Sequence, residues 1–81
     1  MEQHFADILD YCKDNVRGFE TRLNKAFCRH IEKGIPFYLA NESLTLAVDD
    51  SIEEWCDFEE VDNDLIDVEE FLYWALDNLN D

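Results

Sequence analysis

An α+β fold is predicted for this chain, residues 1–81 forming one small acidic domain, and three observations predict it. An apolar stripe with steps of four and three runs through the first third. A stretch of period-two alternation follows. Two acidic phrases with helix-capping letters close the chain.

The stripe comprises Phe5, Leu9, Cys12, Val16, Phe19, Leu23, Ala26 and His30, widened by Ile8, Phe27 and Ile31. Residues at this spacing share one face of a helix, so the segment reads as a long amphipathic helix or as two in register. Gly18 is its weak point, costing about 1 kcal/mol relative to Ala in a helix interior. Gly34 and Pro36 form a stop signal, with Lys25, Arg29 and Lys33 near the end where the helix dipole favours cations. Such a stripe either faces a core made by the rest of the chain or forms a seam for a second copy.

In "IPFYLANESLTLAV", Ile35, Phe37 and Leu39 alternate, as do Leu44, Leu46 and Val48, with Asn41, Glu42 and Ser43 between them. That pattern predicts a short β-hairpin packed on the helix. A helix starting after Asn41 competes with it, because Leu, Ala and Glu favour helix. "SIEEW" from Ser51 and "DVEEF" from Asp67 both fit a capping box, Ser51 with Glu54 and Asp67 with Glu70. They predict two short acidic helices, from Ile52 to about Glu60 and from Val68 to about Leu79. The second buries Phe71, Leu72, Ala75, Leu76 and Leu79, and "VDNDLID" links the two.

With 47% hydrophobic and 14% aromatic residues, the chain is too apolar for a disordered acidic tail, despite a net charge of −15. All six basic residues lie between Lys13 and Lys33, and residues 34–81 hold fifteen acids and no base. From Ser51 to Glu70, ten carboxylates occupy twenty positions. Ordinary solvated helices intersperse Glu with Lys at i,i+4. Here Glu53 and Asp57 repel at that spacing, with Asp49 and Asp50 close by. Direct nucleic-acid binding and anionic membranes are poor expectations for such a surface, and a basic protein surface is a good one. The three cysteines are irregularly spaced without a CxxC, as expected of free thiols in a reducing cytoplasm. No apolar run reaches the ~20 residues that cross a bilayer, and the acidic N-terminus does not resemble a signal peptide.

Catalysis, cofactors and a specific metal site are not expected. Two glycines cannot build a phosphate-binding loop. Cys28 and His30 are two apart on a helix and face different ways. His30 reads as a core or edge histidine. EF-hand registers from Asp57 and Asp62 fail at the positions that need oxygens and glycine.

The function expected is therefore non-enzymatic: carboxylates held in a row imitate a nucleic-acid backbone and block a basic groove in a restriction, CRISPR, repair or transcription protein. Small acidic inhibitors of this general sort are typical of phages and mobile elements, a comparison resting on charge and size alone. The residues expected to meet the partner are Glu53, Glu54, Asp57, Glu59, Glu60, Asp62, Asp64, Asp67, Glu69 and Glu70. Trp74 joins them as an aromatic anchor, with Tyr73 also near the acids and Trp55 expected in the core. An immunity protein or antitoxin against a basic nuclease toxin has the same appearance. A helical dimerisation or adaptor protein with a solubilising acidic half is the third reading, the copies meeting through the N-terminal helix.

Overall fold

Gly18 divides the N-terminal stripe. A computed structural model describes the backbone of residues 2–79 and the side chains from His4 onward. In it α1 (Glu2–Asn15) and α2 (Phe19–Lys33) are separate helices, and Gly18 sits between them at φ 66°, a left-handed conformation that glycine adopts without a Cβ clash. The stripe survives the break: Phe5, Ile8, Leu9, Cys12, Val16, Phe19, Leu23 and Ala26 are all buried. Their face is thus consumed by the chain's own core, and of the flanking positions Ile31 stays outside, 63% exposed. Gly34 ends α2 in the left-handed conformation and donates its N–H to the His30 carbonyl.

The expected hairpin is not formed. Among the described residues there is no strand, and the fold is all-α rather than α+β. Phe37–Ala40 form a single helical turn, α3, behind Pro36, so Phe37 and Ala40 turn inward while Leu39 faces water. Asn41 then caps α4 (Glu42–Glu59), its Oδ1 accepting from the Leu44 N–H at 2.9 Å. Leu44, Val48, Ile52 and Trp55 are buried, a helical spacing, whereas Leu46 is 64% exposed. The competing helix after Asn41 is the structure found. Consequently the first acidic helix starts at Glu42, not Ile52, and Ser51 is no cap but a buried residue in mid-helix.

The last helix, α5 (Val68–Leu79), follows the expected bounds. Asp67 Oδ1 accepts from the N–H groups of Glu69 and Glu70, and Phe71, Leu72, Ala75 and Leu76 are buried. Between α4 and α5, Glu60 adopts φ 59°, and a 3₁₀ turn at Asn63–Leu65 is capped by Asp62 Oδ1 on the Asp64 N–H. Buried Ile66 anchors that link.

α1 packs chiefly on α4, α2 on α3, and α5 touches α1, α2 and α4. The Phe5 and Phe71 rings meet edge-on with centroids 5.5 Å apart. His30 is an edge histidine. Its Nδ1 donates to the Ile35 carbonyl, and its Nε2 lies 3.3 Å from the Tyr73 hydroxyl. No helix among the described residues is long and apolar enough to cross a membrane.

Candidate functional site

The outward face of α4 carries a row of carboxylates. Residues three and four apart share a helix face, which aligns Glu42, Asp49, Asp50, Glu53 and Asp57, with Leu46 among them. Asp49 is half-buried and the others are exposed. Carboxylate oxygens of Asp49, Asp50 and Glu53 lie within 4.8 Å of one another. The last turn of α4 carries Asp57 and Glu59 and no base. Acids there face the negative end of the helix dipole, each costing about 0.3–1 kcal/mol. This arrangement opposes folding stability.

All ten expected carboxylates are exposed, but they do not form one row. Glu53 and Asp57 belong to the α4 stripe. Glu54 is on the flank facing α1, where its Oε2 accepts the Tyr11 hydroxyl at 2.9 Å. Glu60, Asp62, Asp64 and Asp67 belong to the link, two of them occupied as backbone caps. Glu69 and Glu70 sit in the first turn of α5. Trp74 is half-buried, its ring packed near Phe5 and Phe71, and Tyr73 is held to His30. Neither ring stands free among the acids.

A second acidic region went unread in the sequence. Asp7, Asp10 and Asp14 recur at i, i+3 and i+7 on the exposed face of α1 and join Glu59 along a shallow groove of about 360 Å³ against α4. Tyr11, Trp55 and Phe58 supply its rings, and Phe58 is 86% exposed. The helical spacing of the three aspartates was the available signal. It was hidden by counting charge in halves, because the bases that balance the first half sit mainly on α2.

Those bases do not neutralise the acidic surface. Among the described residues, the ion pair that forms is Lys13–Glu20, 3.8 Å long and within the first segment. Arg22 spends its guanidinium on the Arg17 carbonyl and the Ser43 hydroxyl. Lys25, Arg29 and Lys33 line a groove of their own on α2 with Asn24, Cys28 and Glu32.

Two thiols are chemically muted. Burial pushes the Cys12 thiol up to about 12. Cys56 is raised by burial and then by the nearby negative charges of Asp57 and Asp62. Cys28 is exposed. The Tyr11 hydroxyl is raised above its ordinary range, chiefly by its hydrogen bond to Glu54.

No protein-family model matches this chain, and no curated protein or solved structure matches it.

Proposed function

We propose that this protein is a non-enzymatic acidic inhibitor that occupies the basic nucleic-acid-binding surface of another protein. The observation that carries the reading is the unpaired state of the acids. Among the described residues, no carboxylate after residue 33 lies at ion-pair distance from a lysine or arginine. The charge density suits the role as well. The molecule is 38 Å long, and a duplex of that length carries about 22 phosphate charges at one per 1.7 Å. The chain's net −15 is of the same order. The α4 stripe supplies the stiff array, with carboxylates roughly 5–6 Å apart at Cβ, and the link and α5 extend the field around it.

The test is capture from a cell lysate on the immobilised protein, followed by elution with duplex DNA. Recovery of DNA-binding proteins that duplex DNA displaces is the expected result. Recovery of proteins that duplex DNA leaves in place would overturn the reading.

An immunity protein or antitoxin that neutralises a basic nuclease is the second reading, favoured by Phe58. A ring 86% exposed beside four carboxylates fits a desolvated anchor in a tight pair. That reading predicts one cognate toxin, retained at salt concentrations that release partners held by charge alone.

A further inference from the structure

Phe58 goes beyond acidity. An acidic surface recognises any cation through charge, and screening weakens it uniformly. The groove between α1 and α4 offers more, because it sets an open aromatic face beside carboxylates. Phe58 lies one turn beyond Trp55 on α4, and its ring is almost wholly in water. Asp10 and Asp14 approach from α1, and Glu59 from α4 itself. The open ring lines the same groove as Tyr11 and Trp55, with the carboxylates around it.

Arginine is the side chain matched to this combination. Its guanidinium is planar, stacks on aromatic faces and presents forked N–H donors to carboxylates. A lysine ammonium is a compact, strongly hydrated charge that gains less from the ring. We propose that the α1–α4 groove docks an arginine side chain of a basic protein partner. The guanidinium lies over the Phe58 ring, and its N–H groups are shared among Asp10, Asp14 and Glu59. This deepens the reading above and rests on it, since it names the residue of the basic partner that the acidic surface selects. Carboxylates alone already favour the forked guanidinium over an ammonium; the groove adds the stacked ring to that preference.

The experiment is a titration of ¹⁵N-labelled protein at low salt with acetylated hexa-arginine amide and, separately, hexa-lysine amide. Hexa-arginine should bind about tenfold more tightly, the range that a stacked cation provides, with the largest shifts at Tyr11, Trp55 and Phe58. Phe58→Leu keeps an apolar residue at an exposed position, so the fold is retained. It should weaken hexa-arginine several-fold while leaving hexa-lysine unchanged. The double variant Asp10→Asn, Asp14→Asn should reduce the arginine preference in the same direction. Equal affinities for the two peptides in the parent, or a preference undiminished in Phe58→Leu, overturns the groove. If the peptides bind equally and the variant Asp49→Asn, Asp50→Asn, Glu53→Gln abolishes both, the groove fails while the acidic-surface reading stands. If neither peptide binds, both fail together.

Discussion

Tyr11 of α1 donates its hydroxyl hydrogen bond to Glu54 of α4 across 2.9 Å, joining two helices that carry acidic runs. The contact is on the surface and ties a carboxylate to a neutral donor rather than to a cation. Tyr11→Phe should therefore lower the melting temperature by only a few degrees and leave the helical signal unchanged. Thermal unfolding followed by circular dichroism checks this.

Alkaline stability follows from the raised groups. The folded values of Tyr11, Cys12 and Cys56 lie above their unfolded ones, so their contributions are complete below the unfolded values. They disappear as pH rises through the folded ones. For Cys12 the window runs from the ordinary thiol value of 9.0 to about 12. Urea midpoints should fall continuously across that window. A midpoint that is flat from pH 9 to 12 would contradict the burial of Cys12.

Thiol chemistry should separate one cysteine from two. Cys28 is exposed, while Cys12 and Cys56 are buried with their thiolates disfavoured. Ellman's reagent should modify one thiol per folded chain at neutral pH and all three in urea.

Unscreened repulsion predicts that salt stabilises the fold. With Lys13–Glu20 as the ion pair among the described residues, raising NaCl from low concentration to ~0.5 M should raise the melting temperature. Scanning calorimetry at the two concentrations measures it, and no rise would mean that the acids are compensated within the fold.

The two ends of α4 give opposite expectations. Asn41→Ala removes the side-chain cap and should cost about 1 kcal/mol. Glu60→Gly relieves a left-handed residue (φ 59°) and deletes one acid beside the helix C-terminus. It should stabilise by roughly 0.5–1 kcal/mol. Urea unfolding of both variants checks the signs.

The sequence was most legible where one apolar face ran without competition. Phe5 to Ala26 and Phe71 to Leu76 are buried as their spacing required, and Gly18, Gly34 and Asp67 mark real helix ends. It misled where two periods overlapped. Leu44, Leu46 and Val48 alternate, but only Leu44 and Val48 are buried, and their spacing continues through Ile52 to Trp55. Reading Ser51 as a cap cut that run in two. Of the candidate site, the exposure of the carboxylates was legible, since like charges without partners must stay in water. Their division between a stripe, a link and a first turn was not, because it depends on where α4 begins. Phe58 and the α1 aspartates come together only through packing, which no local pattern encodes.

The central claim is tested most directly by neutralising the α4 stripe with Asp49→Asn, Asp50→Asn, Glu53→Gln and Asp57→Asn. The account predicts a variant that melts at a higher temperature than the parent yet no longer captures the basic proteins that duplex DNA displaces. A variant that captures the same proteins with the same sensitivity to DNA would contradict it.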